Sequence, residues 1–222
     1  MKNLYGTPKV VLTILLSCAQ IFLSSCCPEF KEPIPPLPDS KIDAQLLGTW
    51  TRMTEISGKQ QLSILPRKDK LLDIVYIYDI ESPFTSDGAN LIIMEGYSTV
   101  SHGQKFLCLQ FRDKDYTCCK QTGQFAFFDK ETGKYSYFIA SYEVNNEVLC
   151  INPFASEKVK ELINKGLLKG EITQEETPRG KFERVLVKSS SEELVKVISE
   201  KGVQIFSKEG KDNPMFFMKS TK

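Results

Sequence analysis

From Leu46 onward the chain runs in short stretches of alternating polarity separated by turn residues, and this pattern restricts the fold more than any other feature. Over residues 71–78, Leu72, Ile74, Tyr76 and Tyr78 share one face, which is the two-residue period of a half-buried strand. Comparable runs cover 48–54, 90–97, 105–111, 125–128, 135–142 and 148–151. Asp87-Gly88, His102-Gly103, Gly123 and Thr132-Gly133 lie between runs and tolerate positive φ. Asn145-Asn146, between Val144 and Glu147, predicts a tight hairpin. Short links require antiparallel neighbours, because parallel strands need long crossovers. Seven or more such strands close into a barrel or pack as a sandwich.

Two helices interrupt the series. Asn152-Pro153 predicts an N-cap followed by proline at the first helical position. Val159, Leu162 and Ile163 form the apolar stripe, and Gly166 stops it. The second helix is predicted from Ser190, with Glu193 completing a capping box, Leu194, Val197 and Ile198 facing inward, and Gly202 at the end. Strands are expected at 168–172 and 182–188, and a closing strand at 215–218. No internal repeat or second linker divides residues 43–222, which therefore read as one domain. The expected fold is mainly β, of the α+β class. An antiparallel meander forms a barrel or half-barrel, with two helices in the C-terminal half.

The amino terminus has a different logic. Lys2 and Lys9 precede an uncharged, largely apolar run over 10–23, the length of a signal h-region and short of the roughly 20 residues a spanning helix needs. It ends in Leu23-Ser24-Ser25-Cys26, which resembles the bacterial lipobox: an aliphatic residue, two small residues, then the cysteine whose thiol takes diacylglycerol before cleavage. The resemblance implies a signal peptide over 1–25 and lipid on Cys26. An ordinary signal peptide with an incidental cysteine, or an uncleaved anchor, are the alternatives. Multiple acyl chains anchor stably where one chain is marginal. Cys27 rather than Asp follows the lipid cysteine, which implies the outer membrane if the host is Gram-negative. Pro28, Pro33, Pro35, Pro36 and Pro38 then predict a semi-rigid extended tether over 26–42.

Leu47-Gly48-Thr49-Trp50 resembles the Gly-x-Trp signature of lipocalins and related small barrels. The resemblance implies that Gly48 and Trp50 pack one barrel end, with Arg184 on a late strand as the cation against the indole. The chain departs from lipocalins in placing a helix after the seventh expected strand instead of after the eighth. Residues 135–142, 152–166, 168–170 and 189–202 are also similar to a broad group of small bacterial lipoproteins that carry no assigned activity.

With 29 Lys and Arg against 28 Asp and Glu, the chain carries a net +1. Loss of 1–25 removes two lysines and leaves the mature chain at −1. That balance offers no electrostatic reason for a nucleic-acid partner and no polybasic membrane patch, so lipid is the expected link to the membrane. Cys108, Cys118, Cys119 and Cys150 are candidates for disulfide pairing in an oxidising compartment, or for buried small apolar residues. With no Cys-x-x-Cys and one histidine, His102, no metal site is expected. The sequence has neither Gly-x-Ser-x-Gly nor a phosphate loop, so no catalytic residue and no cofactor is expected. Glu95, in step with Leu91 and Ile93, points either into a barrel or into water at a strand end. Tyr76, Tyr78, Tyr135 and Tyr137 line a cavity or, more commonly, build core. The resulting expectation is a non-enzymatic envelope lipoprotein that binds a small apolar ligand or an envelope partner. The alternatives are a structural or assembly factor with a filled core and, behind it, an envelope hydrolase.

Overall fold

Eight antiparallel strands close on themselves in the computed structural model, which describes residues 27–36, 41–54, 58–78, 90–111, 128–129, 134–177, 180–206 and 214–220. In chain order the strands are β1 (Glu29–Phe30), β2 (Gly48–Thr54), β3 (Gly58–Pro66), β4 (Leu72–Tyr78), β5 (Asn90–Ser101), β6 (Gln104–Phe111), β7 (Phe128–Asp129), β8 (Lys134–Tyr135), β9 (Tyr137–Asn145) and β10 (Val148–Pro153). They continue through α1 (Ser156–Asn164), β11 (Gly170–Thr177), β12 (Gly180–Val187), α2 (Ser191–Lys201) and β13 (Met215–Lys219). The barrel runs β2-β3-β4-β5-β6-β9-β10-β13 and back to β2. Its register can be followed across one layer: Trp50 faces Leu62, Leu62 faces Tyr76, and Tyr76 faces Ile92. Lys219 of the closing strand pairs with Trp50. Each barrel strand thereby has a partner strand on both sides.

Alternation along the strands explains the inside. Leu62 and Ile64 of β3, Leu72, Ile74 and Tyr76 of β4, Leu107 and Leu109 of β6, Ala140 and Tyr142 of β9, Leu149 and Ile151 of β10, and Phe217 of β13 are buried together with Trp50. β6 and β9 are also buried on their outer face, where Phe106, Cys108 and Ile139 belong to a second core. That core is roofed by α1 and α2, with Val159, Leu162, Leu194, Val197 and Ile198 turned inward. Its floor is extended by β1, which pairs antiparallel with the start of β9 and parallel with β12. β9 therefore offers one edge first to β1 at Tyr137 and then to β10 from Ala140 onward.

The mainly β barrel with two C-terminal helices is the fold expected from the sequence, with several local differences. The proline-rich stretch is not a free spacer over residues 28–36. Phe30 and Ile34 are buried in the second core, and Lys31 N donates to Val187 O at 2.9 Å. The backbone carbonyls of Pro33, Ile34 and Pro35 accept from Ser191, Tyr97 and Thr99 hydroxyls. Prolines lack only the donor, so a segment rich in them can still be held through its carbonyls. α1 begins at Ser156 after Ala155, and Pro153 instead ends β10 opposite Ala140. Phe154 explains the delay: it bridges to Phe206 and packs on Phe30, which keeps the chain extended two residues longer. The hairpin loop is Asn146-Glu147, one residue later than expected, with Asn146 at φ 55°. The capping box of Ser190 with Glu193 is present. β3 was not expected, and of the predicted run at 125–128 only Phe128 lies within the described residues. Among the described residues no helix is long and apolar enough to cross a membrane.

Candidate functional site

The two ends of the barrel interior differ in chemistry. At one end a single 3-10 turn, Ala44–Leu46, enters beneath the strands and buries Leu46 against Trp50. Trp50 is itself fully buried, and its Nε1 donates to Leu46 O at 2.8 Å. The turn is latched by Asp43, whose carboxylate accepts from Lys105 Nζ at 2.7 Å, Tyr142 OH at 3.0 Å and Gln45 N at 3.0 Å. Burial alone would raise the Asp43 pKa, but these donors outweigh it and hold the carboxyl below its ordinary value. Burial, and then the Asp43 charge, push the Tyr142 phenol up in turn. Gly48 sits at φ +128°, a conformation suited to glycine, where β2 departs from the plug. The cation over the Trp50 ring is Lys219, at 5.4 Å. Arg184 is elsewhere: it grips Glu29 through Nε–Oε1 at 3.0 Å and Nη2–Oε2 at 2.7 Å, locking β12 to β1. The closing strand, not the late strand β12, therefore supplies the partner of the indole.

Two residues further along β2 the interior turns polar. Arg52 follows Trp50 on the inward face and donates through Nε to Gln60 Oε1 of β3. The same oxygen accepts from Tyr76 OH at 2.7 Å. The Arg52 guanidinium lies 5.3 Å from the centre of the Phe217 ring. Gln60 and Tyr76 are both buried. Burial pushes the Arg52 guanidinium down from its ordinary value, opposed only by the nearby Tyr76 phenol. Among the described residues no carboxylate pairs with Arg52, and nothing accepts from its Nη1 or Nη2. A desolvated cation with neutral partners is costly unless something compensates it, so this is the place in the barrel where chemistry and packing disagree. Its signal in the sequence is Gln60, a polar residue at an inward position of β3, a strand absent from the expected runs.

Other expected positions are less informative. Cys26, Cys118 and Cys119 lie outside the described residues. Cys108 and Cys150 are free thiols, so the candidate disulfide between these two is not formed. Cys108 faces the second core, where burial pushes its thiol up to about 12, and its Sγ approaches Ile34 O at 3.7 Å. Cys150 lies on the outer face of β10, beyond β9 from Cys108. Glu95 points outward, bound to Arg67. His102, at φ 50°, occupies the exposed β5–β6 turn, with Nδ1 3.1 Å from Ser101 Oγ. Tyr76 is barrel core, whereas Tyr137 packs on the second core; the side chains of Tyr78 and Tyr135 lie outside the described residues. Among the described residues no three His, Cys, Asp or Glu side chains are grouped for a metal. The outer face of β2 and β13 carries an apolar strip: Met53 is 71% exposed, Phe216 58% and Met218 54%.

No protein-family model matches this chain, and neither the curated proteins nor the solved structures contain a match to it.

Proposed function

We propose that the chain is a bacterial envelope lipoprotein, acylated on Cys26 after removal of residues 1–25, whose barrel binds a small ligand of mainly apolar character without catalysing a reaction. The observation that carries the binding reading is the asymmetry of the barrel interior. One end is sealed by Leu46 and Trp50, while the layer beyond holds Arg52, Gln60 and Tyr76 where a purely structural barrel would carry aliphatic residues. A few placed polar groups among apolar walls are the usual composition of a small-molecule site.

The N-terminal strand bears on how such an anchor would hold the barrel. Pro28 is already buried, so at most about 7 Å of chain would separate a lipid-bearing Cys26 from the folded body. The barrel would rest on the bilayer surface, where an apolar ligand is concentrated. The outer membrane is the favoured site in a Gram-negative host.

Native mass spectrometry of the full-length protein, gently released from membranes, tests the binding reading: a lipid-sized adduct is expected, and its consistent absence would count against it. For attachment, a Cys26→Ala variant should remain as unacylated precursor; a mature acylated product from that variant would refute the assignment. A second reading, a partner-binding or assembly role with a filled core, is favoured by the Met53, Phe216 and Met218 strip on the outer wall. Lysine replacements at Phe216 and Met218 that left the fold intact and abolished a co-purifying envelope protein would support it.

A further inference from the structure

We propose that Arg52, oriented by Gln60 and Tyr76, binds the carboxylate of a small monoanionic acid with an apolar body, such as a fatty acid. This rests on the ligand-binding reading above and specifies its polar contact.

The geometry supports it in three ways. First, the guanidinium is held rather than loose. Nε is committed to Gln60 Oε1, and that oxygen is fixed from its other side by Tyr76 OH at 2.7 Å, while the Phe217 ring lies 5.3 Å away. Holding Nε leaves the two Nη groups as a planar fork, which matches the two oxygens of a carboxylate. Second, the Arg52 side chain is only partly buried, and its Nη groups donate to none of the described residues. Third, the charge count favours one negative charge. Among the described residues the other cations near the barrel interior, Lys105 and Lys219, belong to the plugged end, where Lys105 is held by Asp43 and Lys219 lies over Trp50. A single guanidinium balances a carboxylate, whereas a phosphate monoester dianion would need a second cation. Gln60 and Tyr76 are positioning residues: they aim the fork and keep it off the barrel wall.

Equilibrium dialysis of radiolabelled octanoate and octanol tests this, using the mature acylated protein in nanodiscs and subtracting empty nanodiscs. Wild type is expected to bind octanoate more tightly than octanol. Arg52→Gln should weaken octanoate binding by about 10- to 100-fold, the range for losing a charge-assisted contact, and leave octanol binding unchanged. Arg52→Lys should fall between, because it keeps the charge and loses the fork. Gln60→Glu is the second variant. It leaves Arg52 in place and supplies an internal carboxylate, so it should abolish the preference for octanoate. Native Trp50 emission confirms that each variant is folded. Equal binding of octanoate and octanol, unaffected by Arg52→Gln, would overturn the carboxylate site and leave the ligand-binding barrel standing. Octanoate binding that survives Gln60→Glu would likewise overturn it. Binding of neither probe by wild type would overturn both readings.

Discussion

Replacing Phe30 with alanine separates a structural N-terminal strand from a tether. Phe30 is 1% exposed, and its ring centre lies 4.9 Å from that of Phe154, which in turn stacks at 4.7 Å on Phe206. Truncating a fully buried phenylalanine in such a cluster costs about 3–5 kcal/mol, from lost transfer energy and the cavity left behind. A residue in a solvated spacer would cost within about 0.5 kcal/mol. For a domain of this size each kcal/mol moves Tm by roughly 2–4 °C, so Phe30→Ala should lower it by about 6–20 °C. In urea, with a slope of about 3 kcal/mol per molar, the midpoint should fall by about 1–1.7 M. The exposed neighbour Glu32 provides the control, and Glu32→Ala should be silent. The assay is thermal and urea unfolding of the full-length protein followed by Trp50 fluorescence and far-UV circular dichroism. If Phe30→Ala unfolds within 2 °C of Glu32→Ala, about the smallest shift that 1 kcal/mol produces, then β1 does not support the second core. The short separation of barrel and membrane proposed above would fall with it.

Three further outcomes follow from the same geometry. With its pKa near 12, Cys108 has about one thiolate in ten thousand at pH 8, so a thiol reagent should modify half-exposed Cys150 in the native protein and reach Cys108 only on unfolding, as peptide mapping would show. Because the Asp43 carboxyl is held below its ordinary value, its contribution to stability is present above the ordinary carboxylate range and is lost as pH falls through the depressed folded value. Asp43→Asn should therefore cost about 1–2 kcal/mol at pH 7 and show a weaker loss of stability on acidification than wild type; identical acid titrations would refute the latch. Gly96→Ala should destabilise severely or prevent folding, since the new Cβ would lie 2.0 Å from Cys108 O of β6 and 2.9 Å from Leu109 Cδ2; wild-type expression and melting would show that β5 and β6 do not approach so closely.

The parts of the fold legible in the sequence are those where local chemistry and tertiary demand agree. The limits of β2 at 48–54 follow from alternation bounded by Gly48 and from Trp50 facing inward. α2 follows from Ser190 and Glu193, whose capping depends only on residues three apart. Expectations failed where a distant contact decided the matter. Pro153 carries the local signature of a helix start, yet Phe154 is claimed by Phe30 and Phe206, and the strand continues to Pro153. Residues 28–36 carry the composition of a spacer, yet two apolar side chains and three carbonyls dock them into the second core. Trp50 was expected to meet Arg184, whereas the closing strand brings Lys219 to it and Glu29 holds Arg184.

By itself the sequence determined the class of fold and the positions of most strands and both helices, because period-two and period-3.6 burial patterns and capping chemistry act over a few residues. The proposal of a lipid on Cys26 likewise rests on a linear motif alone. The tertiary structure alone decided that eight strands close, that a second core lies outside the barrel, and that Arg52, Gln60 and Tyr76 meet inside it. Those three residues come from three strands and make no pattern along the chain. Whether an inward arginine meets a carboxylate or only an amide and a phenol depends on register across strands, and register is a property of the closed barrel as a whole.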